Sequence, residues 1–176
     1  ADLAVEDFSA IEAGMVNLRR HLDNLREVHG IPCVVAVNRF PTDTDLEVAK
    51  VVELTESAAV SAYQTTHFTD GGEGALDLAK GVLRVLDDPS PYSFSFTYPD
   101  DLSLTEKVEA VATRVYGAGQ VTWEAKALRR LARIERDGYG TLPVCVAKTQ
   151  YSFSTDPTLM GAPTGHELRV REVRLS

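Results

Sequence analysis

"IPCVVAVNRFPTDT", Ile31 to Thr44, decides how this chain folds. Its first half is short, continuously apolar and rich in Val. That is the signature of a strand buried on both faces, as in a parallel sheet. Its second half leaves the sheet through an amide, a cation, a large aromatic, a proline and an acid. Thr44 and Glu47 form a capping box, which opens a helix over about 44–56. On the other side, Ile11, Met15, Leu18, Leu22 and Leu25 make one apolar stripe, so residues 6–29 read as a helix. Gly30 is its stop, with Pro32 beyond.

Outward from there the alternation continues. "AVSAYQT" is a second strand. "DGGEGALDLAKGVLRVLDD" is a glycine-rich loop running into a third helix that ends before Pro89. Helices alternating with buried strands predict an α/β fold, part of a doubly wound, mostly parallel sheet with flanking helices. Ligands of such sheets bind beyond the carboxyl ends of the strands. The loops 38–44 and 65–74 both lie there.

The Pro- and Ser-rich stretch 87–101 separates two parts. Residues 1–90 read as the second half of a Rossmann-like domain, and 91–176 as a smaller C-terminal α/β lobe. The lobe is expected to hold a short strand at 92–97 and a helix capped by Ser103 and Glu106 and ended by Gly117. A helix over 122–137 with Leu128, Leu131 and Ile134 as its apolar residues follows, then a strand at "LPVCVAKT" and an edge strand at "HELRVREVRLS". The chain opens without Met and closes inside an alternating pattern, so we expect a truncated piece of a longer protein.

Composition narrows the function. Residues 1–100 carry 7 basic and 17 acidic side chains, a balance of −10, which would repel nucleic acid. The basic run Lys126–Arg136 reads as the solvated face of a helix. No apolar span suits a membrane. Cys33 and Cys145 sit in apolar runs and are expected to be buried, which fits a reducing cytoplasm. The histidines are scattered, so no metal site is expected. Neither a Walker-type nor a G-x-G-x-x-G phosphate loop is present.

Three loops could carry chemistry. Gly71, Gly72 and Gly74 could admit a ligand or an anion to the backbone, or simply make a tight turn. In "NRFPTDT", Asn38, Thr42, Asp43 and Thr44 offer short polar groups around Phe40, whose ring could instead pack onto the lobe interface. Phe68 stands on the neighbouring loop, and two rings there could sandwich a flat heterocycle. The long polar loop 147–165, with Lys148 to Ser152 after a strand, is a third candidate.

Four stretches carry a resemblance: "NLRRHLDNLREVHGIPCVVAVNRFPTDT" (17–44), "GGEGALDLA" (71–79), "LPVCVAKTQYSFSTDPTLMGAP" (142–163) and "VREVRLS" (170–176). Together they look like the C-terminal part of a formate–tetrahydrofolate ligase. The resemblance implies ATP-dependent joining of formate to tetrahydrofolate through formyl phosphate. It places the phosphate-binding loop in a region absent from this chain. It also makes Phe40 and Phe68 the two aromatics that stack on the folate ring, which leaves Asn38 and Asp43, around Phe40, as candidate partners for the ring's edge. The family more usually has Trp where this chain has Phe68, and a cation where it has Asp70. The implied substrates are tetrahydrofolate, formate and ATP with Mg, with no prosthetic group. The longer enzyme is expected to be a cytoplasmic homo-oligomer, touching neither nucleic acid nor membrane, and the piece alone inactive. The alternative is a non-catalytic binding or assembly module of the same fold.

Overall fold

The computed structural model describes residues 5–147 and 153–176. The chain divides into two compact units, Ala1–Phe94 and Ser95–Ser176.

In the first unit, α1 (Phe8–Asp23) runs into one π-helical turn, Asn24–Val28. The wider turn rotates the stripe. Leu22 is buried as expected, but Asn24 takes the next inward place and Leu25 is left exposed. Gly30 follows at φ 64. Next come β1 (Val35–Asn38), α2 (Asp45–Glu56) and β2 (Ala62–Thr65). The two strands pair in parallel, Val35 to Ala62 through Asn38 to Thr65. Helix α2 starts on the expected box: Glu47 N donates to Thr44 Oγ1 (3.1 Å), and Thr44 N donates to Glu47 Oε2 (3.1 Å).

The strand β1 corrects one expectation. It alternates between half-buried and exposed residues, with Ala36 exposed, and is not buried on both faces. The reason is uneven cover: the side carrying Val35 and Val37 is half-buried, and the side carrying Ala36 and Asn38 is open to solvent. It has β2 on one edge, and among the described residues no strand lies on the other.

The glycine-rich segment after β2 is also more structured than a loop. It forms the single turn α3 (His67–Asp70), a 3₁₀ turn (Glu73–Ala75) and then α4 (Leu76–Leu86).

The second unit holds α5 (Leu104–Arg114), β3 (Gln120–Trp123), α6 (Ala125–Ile134) and β4 (Glu167–Val170). Ser103 and Glu106 make the expected capping box. Its strands again pair in parallel, Gln120 to Glu167 through Trp123 to Val170. Leu104, Leu131 and Ile134 form one core cluster, and Ala112, Ala118 and Leu168 another.

Several expectations change here. Residues 92–97 form no strand. Residues 120–123 are a strand, not the start of a helix: Val121 and Trp123 alternate with Thr122, and β4 supplies their partners. In α6 the inward row is then Ala127, Leu131 and Ile134, and Leu128 faces solvent.

Residues 142–147 form no strand either, and Cys145 is exposed. Their backbone groups are taken by side chains instead. The fully buried Lys107 donates from Nζ to the carbonyls of Thr141 (3.1 Å) and Leu142 (3.2 Å). The Tyr98 hydroxyl accepts from Val144 N (2.8 Å) and donates to Val144 O (3.2 Å). Strand β4 stops at Val170, where the alternation slips, and residues 171–176 extend no ladder.

Both units thus mix helices with two-stranded parallel sheets. Among the described residues, no helix is long and apolar enough to cross a membrane.

Candidate functional site

Parallel pairing puts the carboxyl ends of β1 and β2 side by side, with Asn38 opposite Thr65. The chain leaves β1 into Phe40 and leaves β2 into Phe68. One bond stitches the two exits: Arg39 N donates to Thr65 O (3.1 Å). Thr65, nearly inaccessible, donates from Oγ1 back to Val37 O (3.4 Å). The sheet end beneath both loops is therefore closed, and what faces solvent is the rings. Phe40 is 61% exposed and Phe68 87%.

The loop carrying Phe40 is held by its own polar residues. Phe40 N donates to Asp43 Oδ2 (2.8 Å), and Asp43 N donates to Phe40 O (3.0 Å). Between them Pro41 has no N–H to satisfy and a fixed φ. Arg39 donates from Nη2 to the Asp43 carbonyl (3.2 Å), and its Nη1 sits 2.7 Å from Asp45 Oδ1. Thr44, besides capping α2, donates from Oγ1 to Glu6 Oε2 (2.7 Å). Of the sequence-derived candidates, Asn38 is exposed at the strand end, and half-buried Asp43 spends one carboxylate oxygen inside the loop.

The loop carrying Phe68 is built differently. Thr66 N donates to Gly74 O (3.0 Å), closing the loop's base. A β-carbon on Gly74 would stand 2.5 Å from the Thr66 carbonyl carbon and 2.7 Å from His67 N, so this glycine permits a close backbone approach. Gly71 adopts φ 59, ψ −139, a conformation that side chains resist. Nothing lies within 4 Å of a β-carbon built on Gly71 or Gly72. The three glycines thus divide: Gly74 closes the loop, Gly71 turns it, and Gly71 and Gly72 leave open backbone beside Phe68. Glu73 and Asp77 stand at the start of the following helices, where they oppose an anion.

Arg39 is the residue that sequence reasoning missed. Its neighbours in the motif drew attention for their reach toward a ligand, while Arg39 acts on the loop itself. The available signal was an Arg immediately before the ring, with acids three and five residues after that ring at 43 and 45.

Two concavities lie away from the rings. A shallow groove of about 500 Å³ follows α2, lined by Asp45, Val48, Val52, Glu53, Glu56 and Gln64. Its carboxylates disfavour an anionic ligand. A larger one in the second unit, about 890 Å³, is walled by core residues such as Leu104, Leu131, Ile134 and Val173.

Cys33, just before β1, is not an activated nucleophile. Partial burial pushes its thiol up, against an opposing pull from Arg26. The candidate residues Lys148, Thr149, Gln150, Tyr151 and Ser152 lie outside the described residues. Just after them Phe153 and Ser154 are buried, and the His166 ring nitrogen Nε2 sits 3.0 Å from Phe153 O.

A family model described as "Formate--tetrahydrofolate ligase" matches residues 1–176. Curated proteins of that name are similar throughout. One from Nocardioides sp. is 80% identical over 176 residues, which are 100% of this chain and 32% of that protein. One from Methylobacterium nodulans is 49% identical over 175 residues, 99% of this chain and 31% of that protein. One from Symbiobacterium thermophilum is also 49% identical, with the same coverage. The chain therefore spans about a third of the length of the relatives it matches.

Proposed function

Because this chain belongs to the formate–tetrahydrofolate ligase family, we propose that it supplies the folate-side portion of an ATP-dependent ligase that joins formate to tetrahydrofolate, and that it is inactive alone. The observation that carries this is the Asn38–Thr65 register. It sets two solvent-facing rings, Phe40 and Phe68, on neighbouring loops at one end of a parallel strand pair. A closed sheet end with two outward rings suits a flat heterocycle. Each aromatic contact contributes about 0.5–1.5 kcal/mol beyond simple burial. Asn38 and Asp43 stand beside Phe40, and the open backbone of Gly71 and Gly72 stands beside Phe68.

In the reaction, the folate amine attacks the carbonyl carbon of formyl phosphate. A carbon–nitrogen bond forms and phosphate leaves. This chain's residues do not enter that bond exchange. They bind the folate ring and fix its orientation, so that the amine meets the activated formyl group in an attacking geometry. Such positioning is worth several powers of ten in rate. The groups that hold formate and Mg-bound ATP lie in the remainder of the enzyme. We place that enzyme in the cytoplasm as a homo-oligomer without a prosthetic group.

The test is the full-length ligase containing this chain, assayed for ATP- and formate-dependent synthesis of 10-formyltetrahydrofolate. Phe40→Ala is expected to raise the KM for tetrahydrofolate about tenfold and leave that for ATP unchanged. An unchanged folate KM would contradict the role of Phe40.

A further inference from the structure

An exposed ring is a good stacking platform only if its backbone is held still. Phe40 is 61% exposed, so packing on its side chain contributes little to holding it. What holds it is a continuous polar path back to the sheet. Thr65 O accepts from Arg39 N (3.1 Å), Asp43 O accepts from Arg39 Nη2 (3.2 Å), and Asp43 Oδ2 accepts from Phe40 N (2.8 Å). Arg39 Nη1 is anchored at the same time on Asp45 Oδ1, 2.7 Å away.

From this path we propose that Asp43 and Arg39 are positioning residues for the folate ring, acting through the backbone of Phe40 and not by touching the ligand. This rests on the stacking role of Phe40 proposed above. The chemistry distinguishes the two residues' tasks. Asp43 needs an acceptor oxygen at the Phe40 N–H, and an amide oxygen serves nearly as well as a carboxylate. Arg39 needs a planar fork that reaches two acceptors at once. A lysine, a single point charge, can satisfy one of them only.

The experiment uses the full-length ligase, with KM for tetrahydrofolate, KM for ATP, kcat and melting temperature measured for each variant. Asp43→Ala is expected to raise the folate KM about tenfold, with the ATP KM within about twofold. Asp43→Asn is expected to restore it to within about threefold, and Arg39→Lys to fall between. If Asp43→Asn is as damaging as Asp43→Ala, the carboxylate meets the ligand itself. The positioning role is then overturned, while that of Phe40 stands. If Asp43→Ala leaves the folate KM unchanged while Phe40→Ala raises it, the positioning role is again overturned alone. If Phe40→Ala has no effect either, the stacking role fails first and takes this one with it. Should Asp43→Ala lower the melting temperature, recovery of the folate KM in Asp43→Asn remains decisive.

Discussion

The loops that leave β1 and β2 side by side each carry an exposed phenylalanine, yet they differ in how far side chains help to hold them. Residues 38–44 are tied by side chains to backbone: Asp43 to the Phe40 N–H, Arg39 to the Asp43 carbonyl, Thr44 to the Glu47 N–H. Residues 66–74 rely mainly on backbone bonds, with Thr69 Oγ1 donating to Thr66 O (3.1 Å) beside them, and glycine makes the fit. Thr66 N meets Gly74 O, and no β-carbon could stand at Gly74 without displacing Thr66. The lesson is that exposure of a ring says nothing about how firmly its loop is held. The two loops should therefore fail under different substitutions.

The sharpest break is at Gly74. Gly74→Ala places a β-carbon against Thr66 and His67 main-chain atoms, which cannot give way as a flexible side chain could. A loss of about 2–3 kcal/mol in unfolding free energy is expected. Gly72→Ala, two residues away in open space, should stay within about 0.5 kcal/mol. Equal costs in chemical denaturation would mean that the loop is not held by that close approach.

A smaller effect is expected at Thr44. Thr44→Ala removes the acceptor for the Glu47 N–H and should cost about 1 kcal/mol. A substitution at Thr66, whose hydroxyl caps nothing in α3, should cost less at the helix end. Comparing the two in thermal unfolding checks that side-chain bonds matter more to the first loop than to the second. The smallest effect is expected at Asp45. Its carboxylate is 86% exposed, so Asp45→Asn should change stability by at most about 0.5 kcal/mol, even though the ion pair with Arg39 is short. A larger loss would mean that Arg39 depends on Asp45 more than on the Asp43 carbonyl.

What could be read from the sequence follows the range of the interactions involved. Both capping boxes, Thr44–Glu47 and Ser103–Glu106, were legible because cap and partner lie three residues apart. The pairing of β1 with β2 was legible because a short Val-rich run between two helices has few other uses. Strand β3 was not, because four residues reveal a strand only beside their partner β4, far along the chain. The strand expected at 142–149 failed among residues 142–147 for the converse reason. Lys107 and Tyr98, from distant positions, occupy backbone groups that a ladder would have used. Leu25 was misplaced because a single π-helical turn shifts the helical phase without any mark in the stripe.

At the site, Phe40 and Phe68 could be picked out as rings at strand ends. That Phe40 turns outward could not. Its direction depends on the bonds of Asp43 and Arg39, and those residues also read as ligand groups or solvated charges. Gly71, Gly72 and Gly74 looked alike in sequence, and only backbone geometry separates the closing glycine from the two open ones.

The most direct measurement is a crystal structure of the full-length ligase with tetrahydrofolate bound. The expected result is the bicyclic ring of the folate in contact with both phenylalanines, at about 4 Å from the rings of Phe40 and Phe68, with the Asp43–Phe40 and Arg39–Asp43 bonds kept. A folate bound elsewhere, with both rings still facing water, would contradict it.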